Sequence, residues 1–353
     1  MSEKIIVLTG GGTAGHCLPC LALLPDLKKR FDKIVYIGSE NGIEKELATK
    51  RGLEYHAVKC VGLTRKFTLK NLSVPFTLIR GIRQAEKLLK DLKPSAVFSK
   101  GGFVALPVTL AAERLKIPVA LHESDISLGL ANRLALKRAA TLMTGFKSTA
   151  AEYPNAVFTG NPLRRELTRN RDGKAIKRGY GFKDEKPVLL VLGGSRGAKA
   201  VNDAITLAAD KLLENFCVIH SAGKGKTNGI NKADYKQYEY IADMGAAYSV
   251  ADVCVTRAGA NALTELVALK IPTLAIPLPK GNSRGDQEEN AEYYRSRGAI
   301  RVLSEKNLTT DALIKEIFAT YAARDSLKRA CEKCSAAAPN EKIVSEIVRI
   351  SGV

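Results

Sequence analysis

Tryptophan is absent, aromatic residues make up only 6% of the 353, and histidine occurs four times. So lean a supply of flat rings argues against a surface that stacks nucleic-acid bases. No helix-turn-helix, zinc-finger or RNA-binding signature is present either. No apolar run approaches the roughly 18 to 20 residues that a spanning helix needs. The first apolar stretch, Ile5 to Leu8, is too short for a secretory signal and runs straight into Gly10-Gly11-Gly12, so a cytoplasmic protein is expected. The seven cysteines are odd in number, and a reducing compartment keeps them as thiols. Cys17/Cys20 and Cys331/Cys334 form C-x-x-C pairs without ribbon or finger spacing, so no metal site is expected. Acid is in deficit too: 36 Asp and Glu against 55 Lys and Arg give a net charge of +19. With nucleic acid disfavoured, the partners left for that charge are anionic lipid and a phosphorylated substrate.

What is present is a repeated alternation. Ile5 to Leu8, Lys33 to Ile37, Ala96 to Ser99, Val119 to His122 and Thr141 to Thr144 read as short strands. Longer amphipathic stretches separate them, including helices over Cys17 to Arg30 and Glu44 to Lys50. This is the pattern of an α/β, doubly wound parallel sheet. After Gly160-Asn161-Pro162 and a charged stretch from Arg164 to Lys186, it restarts with a strand over Pro187 to Leu192, a glycine loop and a helix. Two Rossmann-like domains are therefore expected, 1–161 and 162–337, with a last helix within 338–353 returning to the first. At 353 residues the chain also exceeds the usual size of a single core.

Three glycine turns follow strands: Gly10-Gly11-Gly12-Thr13-Ala14-Gly15-His16, Lys100-Gly101-Gly102-Phe103, and Gly193-Gly194-Ser195-Arg196-Gly197. Glycines let backbone amides approach a phosphate while a helix N-terminus offers partial positive charge. A nicotinamide dinucleotide would use one such loop, with an acid such as Glu40 about 20 residues on. It has no need of a second loop in the other domain. An enzyme with two diphosphate-bearing substrates does, each held by one domain so that their sugars meet across a cleft.

Between Lys59 and Lys93 stand nine basic and two acidic residues, interleaved with Phe67, Leu69, Leu72, Val74, Phe76, Leu78 and Ile79. Apolar groups ringed by cations such as Arg80 and Arg83 suit a peripheral contact with an anionic membrane, each cation adding about 1 kcal/mol. Pro75 argues against one uninterrupted helix here.

Seven segments in series resemble the MurG family: GGTAGH (11–16), SKGGFVALP (99–107), HESDISLGLAN (122–132), GNPLR (160–164), GGSRGAKAVN (193–202), TRAGANALTE (256–265) and SRGDQEENA (283–291). The likeness covers essentially the whole chain. It implies the GT-B glycosyltransferase fold and transfer of N-acetylglucosamine from its UDP donor to the lipid-linked muramyl-pentapeptide precursor of the bacterial cell wall. It further implies an acceptor diphosphate at Gly12, Thr13, Gly15, Gly101 and Gly102. On the donor side, Ser195 would touch the diphosphate, Arg164 would lie nearby, and the Ile241 backbone would meet uracil. Glu265, read as a carboxylate opening a helix after Ala258-Gly259-Ala260, would take both ribose hydroxyls, and Asp286 with Gln287 would face the sugar. Some members carry asparagine at the position of Asp125, tyrosine at Phe103 and glutamine at Asp286.

The chemistry expected is direct, inverting displacement at the anomeric carbon by the acceptor's C4 hydroxyl, which needs a base. His16 is the first candidate, since an imidazole titrates near about pH 6.5, and Asp125 is the second. No cofactor is called for, and Arg164 with helix N-termini answers the charge on the leaving UDP without a metal. A glycosyltransferase acting on diacylglycerol, a UDP-sugar epimerase, a non-catalytic UDP-sugar- or lipid-diphosphate-binding protein and a nicotinamide oxidoreductase are the competing readings. His56, His122 and His220 are read as structural.

Overall fold

A computed structural model describes residues 3–62, 74–183, 185–194, 197–281 and 284–353. The chain forms two compact units, Met1–Arg164 with Ala336–Val353, and Arg165–Ser335.

The first unit is built on seven parallel strands: β1 (Ile5–Thr9), β2 (Lys33–Gly38), β3 (Glu54–Ala57), β4 (Ala96–Ser99), β5 (Val119–Glu123), β6 (Thr141–Thr144) and β7 (Ala156–Phe158). Their order is β3-β2-β1-β4-β5-β6-β7. Strands of a parallel sheet are covered by helices on both faces, so they read as continuous apolar runs. In β1, Ile6 and Leu8 join the core on one face, and Ile5 and Val7 join the core on the other.

The last helix, Pro339–Ser351, belongs to the first of those cores through Ile343, Val344 and Ile347. Asn340 fixes its start, donating to the carbonyls of Ala22 and Leu163 and accepting from the Leu163 amide at 2.8 Å. The segment read as one helix over Cys17 to Arg30 is two, Ala14–Ala22 and Leu24–Leu27. Pro25 has no N–H to continue the ladder to Leu21, so the helix breaks there.

The second unit carries β8 (Val188–Leu192), β9 (Cys217–Ser221), β10 (Tyr235–Tyr238), β11 (Val253–Thr256), β12 (Thr273–Ala275) and β13 (Arg301–Val302). All are parallel, in the order β10-β9-β8-β11-β12-β13. The same alternation holds: Leu189 and Val191 face one core, Val188 and Leu190 the other.

In both sheets the order of strands reverses once, between β1 and β4 and between β8 and β11. At such a switch point the loops leaving neighbouring strands diverge to opposite faces, which opens a crevice at the carboxyl ends of the strands. All three glycine turns leave strands at these two points: after β1, after β4 and after β8. No helix among the described residues is long and apolar enough to cross a membrane.

Candidate functional site

In the first unit the switch point brings the loop after β1 against the turn after β4. His16 lies in the first turn of the helix Ala14–Ala22, with its Nδ1 2.9 Å from the Thr13 hydroxyl. Gly102 packs on that ring. Its φ is +81°, and a Cβ there would stand 2.7 Å from the Gly11 carbonyl and 3.5 Å from the imidazole. Only glycine allows so close an approach with that backbone. His16, Thr13 and the Gly101–Gly102 turn are therefore brought together.

The floor of this site is ionic. Glu44, fully buried, accepts from the Ser39 amide at 3.1 Å, from the Ser39 hydroxyl and from the Gly12 amide at 3.3 Å. The Gly12 N–H expected to meet a phosphate thus already has a carboxylate partner. Glu123, at the end of β5, accepts from the amides of Asp125 (3.2 Å) and Gly129 (2.8 Å) and from Asn132 Nδ2 (2.9 Å). That carboxylate shapes the loop carrying Asp125. Asn132 also packs beneath Gly101, and Asn161 Nδ2 donates to the Ser124 carbonyl at 3.2 Å. The segments 122–132 and 160–164 are therefore one structure.

Lys100 is the most unusual member of this floor. It is 2% exposed, and its Nζ donates to His122 Nδ1 at 2.9 Å and to the Ser124 hydroxyl. His122 Nε2 donates to the Gly160 carbonyl at 2.9 Å, which leaves Nδ1 as the acceptor. Burial first, then the neighbouring Lys100 charge, hold the His122 pKa well below the ordinary imidazole value. Burial also pushes Lys100 down to about 8, against the opposing pull of Glu123, Cys20 and Asp125. Cys17 and Cys20 are fully buried apolar packing, and burial lifts the Cys17 thiol to about 11.

In the second unit the floor is neutral. Below the loop after β8, His220 donates from Nε2 to Asn202 Oδ1 (3.0 Å) and accepts at Nδ1 from the Tyr235 hydroxyl (2.7 Å). Asn202 Nδ2 donates to the Ala222 carbonyl at 2.8 Å. Burial drives His220 down to about 4 and Tyr235 up to about 12, so both stay uncharged. Gly197, with φ +68°, backs onto the Ala222 carbonyl, where a Cβ has no room. Ser195 lies outside the described residues.

Ile241 is buried, two residues before Asp243, which caps the helix Met244–Val250 through the Ala246 amide (3.0 Å) and holds Arg171 at 2.7 Å. Glu265 does not open its helix as its sequence position suggested. It is sixth in Ala260–Ala268, and the Tyr248 hydroxyl donates to its Oε2 at 3.1 Å. The helix begins earlier because Gly259 is its N-cap. Asp286 and Gln287 open the helix Asp286–Arg295; the Asp286 carboxylate accepts from the Arg284 amide (3.1 Å) and Gln287 Oε1 from the Leu278 amide (3.0 Å). Arg164 is the last residue of the first unit, partly buried at the chain crossover.

Away from these loops, Phe76 is 77% exposed and Ile79 47% exposed. They share one face of the helix Val74–Leu92 with exposed Arg80 and Arg83, while Gly81, Ile82, Ala85 and Leu89 bury the other. Pro75 does not break this helix, because it stands second in it, where its missing N–H has no helical partner to lose. Phe67, Leu69 and Leu72 lie outside the described residues. Glu40, the acid a dinucleotide site would use, is paired with Lys59 at 2.6 Å.

Sequence reading missed Glu44, Lys100, Glu123 and Tyr248 as parts of these sites. A charged residue directly beside a glycine turn or a strand end was the available signal for Lys100 and Glu123. Nothing local marked the other two.

Comparison with known proteins gives a consistent result. Residues 6–144 match the glycosyltransferase family 28 N-terminal domain, and residues 188–347 match the glycosyltransferase family 28 C-terminal domain. A relative from Lachnoclostridium phytofermentans is 47% identical over 319 residues, covering 89% of this chain and 90% of its own. Another, from Clostridium botulinum (strain Hall), is 45% identical, with coverage of 91% and 92%. Both carry the name UDP-N-acetylglucosamine–N-acetylmuramyl-(pentapeptide) pyrophosphoryl-undecaprenol N-acetylglucosamine transferase. Among solved structures, Acinetobacter baumannii MurG aligns with a TM-score of 0.74 at 23% identity, covering 99% of this chain and 100% of its own. The calicheamicin glycosyltransferase CalG4 aligns at 0.71 and 15%, with coverage of 100% and 99%. These two likenesses establish the GT-B fold.

Proposed function

The chain belongs to glycosyltransferase family 28 and, within it, to the MurG enzymes. From that premise we propose that it transfers N-acetylglucosamine from UDP-N-acetylglucosamine to the muramyl sugar of an undecaprenyl-diphosphate-linked pentapeptide, converting lipid I to lipid II in peptidoglycan synthesis. The observation that carries this reading is the 47% identity extending over nine-tenths of both chains. The glycine turns at the switch points of both sheets support it, since two diphosphate substrates need two such loops.

The second unit takes the donor. The Ile241 backbone meets uracil, Glu265 accepts from the ribose hydroxyls with one oxygen steadied by Tyr248, and Asp286 and Gln287 face the sugar. Ser195 and Arg164 answer the diphosphate. The first unit takes the acceptor diphosphate at Thr13, Gly15 and the Gly101–Gly102 turn, with Gly12 shaping the loop through Glu44 rather than offering its own amide. The C4 hydroxyl attacks the anomeric carbon with inversion as a base removes its proton. His16 is that base; the Thr13 contact and the Gly102 backbone fix its ring. Asp125, on the loop shaped by Glu123, is the alternative base.

The membrane contact is made at the cytoplasmic face, where Phe76 and Ile79 enter the interface and Arg80 and Arg83 meet anionic headgroups. Phe76→Ser with Ile79→Ser lowers sedimentation with anionic liposomes; unchanged sedimentation removes this contact from the account. The reaction is tested with labelled UDP-N-acetylglucosamine and the lipid-linked muramyl acceptor. Label moves to the lipid with the wild-type protein. Absence of transfer, together with a melting temperature raised by NAD and not by UDP, overturns the reading.

A further inference from the structure

Lys100 has no place in the chemistry described so far, yet it is the most deeply buried cation of the first unit's switch point. Burying an ammonium is costly unless it is paired, so its position calls for a reason. Three strand-end loops converge on it. Its own β4 leads into the Gly101–Gly102 turn. Its Cβ lies against Gly10 of the loop carrying His16, and its amide donates to the Thr9 carbonyl at 2.9 Å. Its Nζ donates to His122 and Ser124, the two residues flanking Glu123 in the run that leads to Asp125. The charged and titratable groups facing it are Cys20 from the helix Ala14–Ala22, His122 from β5, and Glu123 and Asp125 from β5 and its following loop.

We propose that Lys100 is a positioning residue of the acceptor site, its buried charge drawing the Ser124–Asp125 loop and the two glycine turns into one arrangement. This rests on the acceptor assignment made above. The ammonium attracts the neighbouring Asp125 carboxylate, which helps to hold that loop in place beside the turns. The charge is also conditional. Burial holds the Lys100 ammonium down to about 8. The Nζ makes two hydrogen bonds, which a neutral amine also supplies, so deprotonation leaves the fold intact but removes the attraction that draws the Asp125 loop in.

The test is the pH dependence of kcat for lipid acceptor, measured on wild type and Lys100→Met, with thermal melting of both. Wild type loses turnover as pH rises through about 8, where Lys100 gives up its proton. Lys100→Met, close in length and uncharged throughout, turns over at least tenfold more slowly at pH 7, has no such alkaline limb, and keeps the wild-type KM for UDP-N-acetylglucosamine. A role in packing alone would lower the melting temperature and leave the limb in place. Wild-type turnover that is flat from pH 7 to 9 overturns the proposal even if Lys100→Met fails to fold. If the wild-type protein transfers no sugar at any pH, it is the functional reading that fails.

Discussion

The two glycine-loop sites share a topology and differ in what lies beneath them. After β1 and β4 the floor is ionic: Glu44 under the first loop, Glu123 under the Asp125 loop, and Lys100 between His122 and Ser124. After β8 the floor is a neutral relay, Tyr235 to His220 to Asn202 to the Ala222 carbonyl. The neutral floor keeps its charge state from about pH 4, set by His220, to about 12, set by Tyr235. The ionic floor changes near pH 8 through Lys100. On the proposed assignment, the donor site only binds and gains from invariance, whereas the acceptor site moves a proton and gains from groups whose charge responds to their neighbours.

Four experiments would break or sharpen this contrast. The largest effect is expected at His16. His16→Ala should lower kcat by roughly 100- to 10,000-fold, the usual contribution of a positioned base. Donor KM should stay near wild type, as steady-state kinetics with varied UDP-sugar will show.

Next comes acid. The His220 pKa falls on folding from 6.5 to about 4, so below pH 6.5 the unfolded chain takes a proton that the folded one refuses. The His220 contribution to stability should therefore be constant above pH 6.5 and fall by about 3 kcal/mol by pH 4. Urea unfolding monitored in the second unit will measure this, and His220→Gln should flatten that part of the acid dependence.

Glu265→Ala should weaken UDP binding about 30-fold, or about 2 kcal/mol for lost hydrogen bonds to a carboxylate. Calorimetry will show whether acceptor binding is untouched. The smallest effects are the paired glycine changes. Gly102→Ala and Gly197→Ala each force a side chain into left-handed backbone against a carbonyl, at a cost of about 1–3 kcal/mol. The first should raise acceptor KM and the second donor KM; the same KM rising in both would erase the distinction between the sites.

Legibility in the sequence followed burial on both faces. β4 and β6 are short fully buried apolar runs, and their bounds, Ala96–Ser99 and Thr141–Thr144, are those the sequence suggests. The edge strands β3 and β7 were not legible, because Glu54–Ala57 and Ala156–Phe158 are half exposed and carry mixed residues. His122 and His220 were readable as satisfied residues, and both are hydrogen-bonded through each ring nitrogen. The ionic floor was not. Lys100 meets residues more than twenty positions away, and Glu44 reaches back 32 residues to Gly12, so their burial is decided by the packing of strand ends. Glu265 was assigned to a helix start because Ala258-Gly259-Ala260 looks like punctuation, yet the helix begins at Ala260 itself.

Amide hydrogen exchange, run with UDP alone and then with the lipid-linked acceptor alone, addresses the separation of the two sites most directly. UDP should slow exchange around 193–197, 241 and 265 only, and the acceptor around 12–16, 100–103 and 125–129 only. A single nucleotide ligand that protects both sets of loops together would contradict the account.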